Sequence, residues 1–178
     1  MRSTKQICMN AMGIALFAAL TMCLQVPVFE NYYLCLGYVV MMVFCFYFGP
    51  FSSVVVGTLG VVLYCLVISG LRGMPGWAIG NIVIALSVSI TCKYTAGLKN
   101  RGIRYLILMT VIVAATAVAI LGVKSIVEMV LYAQPFLLRV AKNVYAFVAD
   151  IVVMVVSLPI CEKLEGVIRK LFMEEIVM

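Results

Sequence analysis

The chain contains no histidine. That single absence removes Ser-His-Asp triads, zinc sites of the His-Glu-x-x-His type and imidazole proton relays. No Gly-x-x-x-x-Gly-Lys-Ser/Thr run occurs, so the chain has no Walker-type loop for ATP. Cys8, Cys23, Cys35, Cys45, Cys65, Cys92 and Cys161 include no Cys-x-x-Cys pair. Most fall in apolar runs, where a cysteine behaves as a small hydrophobe, so neither a disulfide framework nor a metal site is expected. Charge is also scarce, at 11% of residues. A soluble domain carries about 25%.

Apolar residues fill the rest. They make up 66% of the 178 residues, and the mean hydropathy is +1.20. Water cannot solvate that surface, so the bilayer is the solvent. At roughly 20 apolar residues per crossing, the length allows five to seven spans. The pattern predicts an all-α membrane protein, a compact bundle of six transmembrane helices over 7–24, 34–48, 51–68, 78–92, 103–121 and 143–160. These form one domain, 1–178, with 161–178 as a cytoplasmic interfacial tail. In that tail Leu164, Val167, Ile168 and Leu171 share a helical face. The first apolar run follows Arg2 and Lys5 and lacks a small-x-small cleavage site, so it reads as a retained helix rather than a signal peptide.

Basic residues set the expected orientation. With the N-terminus inside, nine Lys and Arg lie on cytoplasmic segments, and only Arg72, Lys124, Arg139 and Lys142 lie outside. This bias places both termini in the cytoplasm. The net charge of +6 is then charge at the membrane surface, not a nucleic-acid footprint. Residues 123–142 are apolar but carry Lys124, Glu128, Pro135, Arg139 and Lys142. Burying such charges in a seventh span is costly, so an outer loop with a short helix over the bundle is expected.

The second predicted span is short. It tilts, thins the bilayer locally or is covered by the preceding loop. Gly49-Pro50 ends it, because proline disfavours helical geometry in the residue before it. The next helix carries Ser52, Ser53, Gly57 and Gly60, a small-residue face suited to close contact. Helix 1 repeats the theme with Ala11, Ala15 and Ala19 at four-residue spacing and Gly13 among them. Such a stripe serves packing inside the monomer or docking on a partner.

Few polar groups lie at membrane depth. Asp150 is the one acidic residue inside a predicted span; it is either a ligand contact or a structural group held by a tyrosine hydroxyl or a basic group. Asn143 precedes it by seven residues on nearly the same face, and Arg139 extends that line if the helix starts early. Trp77 and Asn81 share one face of helix 4, just after the linker 73–77. Trp77 is an interfacial anchor or stacks on an aromatic ligand; Asn81 reads a polar ring edge or makes an interhelical bond. The first outer loop, with Glu30, Asn31, Tyr32 and Tyr33, belongs to the aromatic belt or forms a lid over an outward pocket. Arg72, Lys124 and Lys142 lie on the same side, within reach of a phosphate or carboxylate.

The order Tyr33-x-x-Leu36-Gly37, Phe48-Gly49-Pro50, Ser52-Ser53, Gly57-x-x-Gly60 and Leu63 resembles the substrate-binding S components of energy-coupling factor (ECF) vitamin transporters. The likeness is greatest to the riboflavin-transporter branch. That branch has an acid after the Leu-Gly pair where this chain has Tyr38. The resemblance implies a non-enzymatic subunit, without cofactor or metal, in the cytoplasmic membrane of a prokaryote. It implies a vitamin or precursor as ligand: riboflavin, a pyridoxine-type compound or a thiamine precursor. The ligand would be held between the first outer loop and helices 4 to 6, with Glu30, Asn31, Tyr33, Trp77, Asn81, Lys142, Asn143 and Asp150 as contact residues. It also implies docking through Ala11, Ala15 and Ala19 on a scaffold membrane subunit that works with two ATPase subunits. Other classes fit less well. A lipid-modifying enzyme lacks a catalytic cluster, an assembly subunit would have an apolar interior around Asn81 and Asn143, and a secondary transporter would show an inverted repeat.

Overall fold

The computed structural model describes residues 2–23, 27–29, 32–69, 74–98 and 100–172. Among these the chain forms seven α-helices and one small hairpin. They are α1 (Arg2–Cys23), β1 (Pro27–Phe29), β2 (Tyr32–Tyr33), α2 (Gly37–Tyr47), α3 (Gly49–Tyr64), α4 (Met74–Thr95), α5 (Arg101–Thr116), α6 (Ser125–Tyr132) and α7 (Phe136–Phe172). Helix α3 ends in a π-helical turn, Cys65–Ser69, and a second π-helical stretch, Ala117–Lys124, joins α5 to α6 without a break. Five rods are long and apolar enough to cross a membrane, and the short apolar α2 sits among them.

Helix α2 is the centre of the bundle, packed by α1, α3, α4 and α7. In lipid no hydrophobic force drives helix against helix, so close approach has to supply the contact energy. Glycines supply it here. A Cβ on Gly60 would stand 2.6 Å from the Phe17 ring, and one on Gly57 would stand 2.6 Å from Met41 Sδ. Thus the small-residue face of α3 is filled by α1 and α2 of the same chain. Gly13 likewise lies against Phe44 and Val56. Gly76 and Gly80 lay α4 against the second π-helical stretch, where a Cβ would approach the Lys124 and Ala119 carbonyl oxygens at 3.2 and 3.3 Å.

The Gly49-Pro50 turn forms as the sequence suggests. Gly49 takes φ +81°, a left-handed value that disfavours a side chain, and Pro50 occupies the first turn of α3, where its missing N–H costs nothing. Asn100 caps α5, accepting from the Gly102 and Ile103 amides at 3.0 and 3.4 Å.

Residues 123–142 depart from expectation. They form no separate loop helix over the bundle and no seventh span. Helix 5 continues through Lys124 to Tyr132, the chain turns over residues 133–135, and α7 begins at Phe136. The expectation failed because it charged Lys124, Glu128 and Arg139 as isolated ions, whereas they compensate one another. Two more boundaries shift. Met74 to Trp77 lie in the first turn of α4 rather than in a linker, and α7 runs on through Pro159 to Phe172. Five cysteines are buried, but Cys8 and Cys23 are exposed on α1.

Cross-contacts sort the ends of the bundle. Gln6 Nε2 donates to Ser52 Oγ at 3.3 Å, Tyr47 donates to the Cys161 carbonyl at 2.5 Å, and Arg104 lies over the Phe46 ring. The start of α1 and the far part of α7 therefore share one end. Tyr38, Trp77, α6 and the start of α7 occupy the other.

Candidate functional site

The end away from the chain termini holds a chain of buried polar side chains. Gly37 starts α2 against Phe17 and Thr21, which brings Tyr38 fully inside. The Tyr38 hydroxyl donates to Asn81 Oδ1 at 2.8 Å and accepts from the Trp77 indole N–H at 2.9 Å. Asn81 Nδ2 donates to the Gly57 carbonyl at 2.8 Å. That carbonyl is reachable because Gly57 has no side chain. Trp77 meets Tyr64 edge-on, at 5.8 Å between ring centroids. Asp150 of α7, also buried, stands beside the Tyr38 hydroxyl and within electrostatic range of Lys124.

A second group lies on α6 and α7. Asn143 Nδ2 donates to Glu128 Oε2 at 3.1 Å and to Ser125 Oγ at 3.0 Å. Glu128 also faces two cations, Lys124 Nζ at 4.0 Å and an Arg139 guanidinium nitrogen at 3.8 Å. Arg139 stacks on the Tyr132 ring at 4.7 Å, and its Nε is buried with no hydrogen-bond partner among the described residues. Ser125 Oγ turns back to the Ile120 carbonyl at 3.2 Å, a bond suited to the widened turn of the π-helical stretch. Such π-helical insertions often accompany functional sites, because they re-aim the side chains that follow. Here the stretch delivers Lys124 and Ser125 inward.

The structure brings Trp77, Asn81, Asn143 and Asp150 to the same end, with Lys142 half-buried beside Asn143. Glu30, Asn31, Arg72 and Gly73 lie outside the described residues, and Tyr33 is described by its backbone alone. That backbone pairs with Pro27 in the hairpin, which packs on α7. Ala11, Ala15 and Ala19 are exposed on α1, on the side away from Gly13 and Phe17. Sequence reasoning marked Tyr38 as the departure from the riboflavin-branch pattern, an altered ligand contact, without finding its partners, and it did not place Ser125 or Glu128 in a site. Glu128 counted only as an obstacle to burial, although Lys124 four residues before it was a visible partner.

The family model for "ECF-type riboflavin transporter, S component" matches residues 1–165. The chain belongs to that family. It is accordingly a multi-pass membrane protein, the substrate-binding subunit of an ECF transporter and not an enzyme. Neither the curated proteins nor the solved structures yield a match. In this S component one set of buried polar side chains lies where α4 and α7 meet α2, and a second lies on α6 and α7.

Proposed function

We propose that this S component takes up a flat heteroaromatic vitamin, with riboflavin first and a pyridoxine-type compound or thiamine precursor after it. The ligand enters at the end opposite the chain termini, beneath the β1–β2 hairpin, between α4, α6 and α7. The observation that carries this reading is the convergence of Trp77, Asn81, Asn143 and Asp150 on one end of a riboflavin-family S component. Glu30, Asn31, Tyr33 and Lys142 complete the proposed contacts. Arg139 Nε offers a buried donor that a ligand oxygen can satisfy. Lys124 and Arg139 both face Glu128, and Lys124 also feels Asp150.

The exposed stripe Ala11, Ala15 and Ala19 then docks on the scaffold membrane subunit, which two ATPase subunits energise. The chain termini face the cytoplasm of a prokaryote. The described basic residues Lys93, Arg101, Arg104 and Lys163 agree with that, since α4 ends and α5 begins at the end where Tyr105 meets Glu162. An assembly subunit without ligand would pack apolar groups around Asn81 and Asn143, whereas Asn81 meets the Tyr38 hydroxyl and Asn143 meets Ser125 and Glu128.

Mass spectrometry of small molecules released from the detergent-purified protein tests the reading. A stoichiometric flavin or related vitamin is expected. An empty protein that also fails to bind riboflavin, pyridoxine and thiamine added back would overturn it.

A further inference from the structure

Three side chains from two other helices converge on one hydroxyl. Trp77 and Asn81 come from α4, Asp150 comes from α7, and Tyr38 stands between them, fully buried. The hydroxyl is used in both senses: it accepts the indole proton and gives its own proton to the amide oxygen. A ligand carbonyl or hydroxyl would make those same two bonds. Asn81 is fully buried, and its Nδ2 gives one of its two protons to the Gly57 carbonyl. With Tyr38 in place, the Trp77 N–H and Asn81 Oδ1 are already bonded, so α4 meets the ligand by shape and ring contact rather than through these two groups. The α6–α7 group differs, because Arg139 Nε is buried there with no acceptor among the described residues.

We infer that Tyr38 is the specificity-determining residue of the binding end: its hydroxyl occupies the α4 hydrogen-bonding positions and leaves recognition of the ligand's polar groups to α6 and α7. The inference rests on the vitamin-binding reading above. Tyr38 acts as a positioning residue, closing one wall of the site rather than reading the ligand itself. Removing the hydroxyl leaves the Trp77 N–H and Asn81 carbonyl in need of partners, and a ligand with a polar group at that wall supplies them.

Three probes locate that polar group: riboflavin, riboflavin methylated on its imide nitrogen, and lumiflavin, which lacks the ribityl hydroxyls. Affinities are measured calorimetrically on the full-length protein in detergent, beside thermal unfolding of the unliganded protein. In Tyr38→Phe, the preference for riboflavin over one of the two altered flavins should rise about tenfold relative to wild type, the worth of roughly one good hydrogen bond. Trp77→Phe is the second variant. It keeps a ring against Tyr64 and opens the acceptor side of the Tyr38 hydroxyl, so the same preference should rise. A purely structural Tyr38 would instead lower the unfolding temperature and weaken all three ligands in parallel. Unchanged preferences in whichever variant folds would overturn the inference while leaving flavin binding standing. Wild-type protein that binds none of the three would overturn the riboflavin reading and this inference together.

Discussion

Asn81 shows how a residue serves a fold and a site at once. It ties α4 to α3 through the Gly57 carbonyl and to α2 through Tyr38. Asn81→Ala deletes two buried hydrogen bonds, each worth about 0.5–1.5 kcal/mol net. The unfolding midpoint in detergent should fall clearly, by the equivalent of about 2 kcal/mol. A midpoint within error of wild type would show that the bonds to Gly57 and Tyr38 carry little. Glu128 is the sharper case. Glu128→Ala removes the anion facing Lys124 and Arg139 and one acceptor of Asn143. Removing one partner of a buried ion pair costs about 3–5 kcal/mol. Chemical denaturation should show a larger loss than for Asn81→Ala. The sequence made Asn81, Trp77, Asn143 and Asp150 visible because a polar residue in an apolar run is conspicuous. Tyr38 stood out only as a departure from the branch pattern, and its buried partners were not visible. Its role depends on partners 39 and 43 positions away.

At the scale of the element, turns and termini followed local chemistry. Gly49-Pro50 stopped α2 and started α3 because Gly49 is free to take a left-handed turn and Pro50 restricts the backbone around it. The turn between α6 and α7 carried Pro135 just before α7, but nothing in the sequence marked Ala133. Ala133 adopts φ 50°, a left-handed conformation that costs a non-glycine residue about 1–2 kcal/mol. Ala133→Gly should therefore stabilise the protein by about 1 kcal/mol, read as a raised unfolding midpoint with ligand affinity unchanged. No rise would mean that the turn has relaxed its strain elsewhere. The length of helix 5 was illegible for a different reason. Hydropathy treats each charge alone, while Lys124, Glu128 and Arg139 enter the bundle as a compensated set whose third member comes from another helix. The π-helical stretch Ala117–Lys124 was equally hidden, because an extra residue in a turn leaves no compositional trace.

At the scale of the whole molecule, the proposed roles divide between one end and one side. Helix α1 contacts α2 and α3 and leaves its alanine stripe exposed. Ala15→Trp should abolish vitamin uptake into cells or proteoliposomes while leaving ligand affinity in detergent at the wild-type value. Parallel loss of uptake and affinity would show that the stripe belongs to the monomer's own packing. The stripe was readable from four-residue spacing, but its openness was not, since the same spacing serves Ser53 and Gly57, which the chain buries within the bundle. The cysteine distribution carries one more consequence. Five thiols are sealed in the core, and the two exposed ones, Cys8 and Cys23, bracket Ala11, Ala15 and Ala19 along the same helix. The native protein thus brings its own pair of alkylation reporters to the proposed docking surface. A maleimide that modifies both in the free subunit and is shut out when the partner subunits assemble would trace the footprint of the complex without an engineered label.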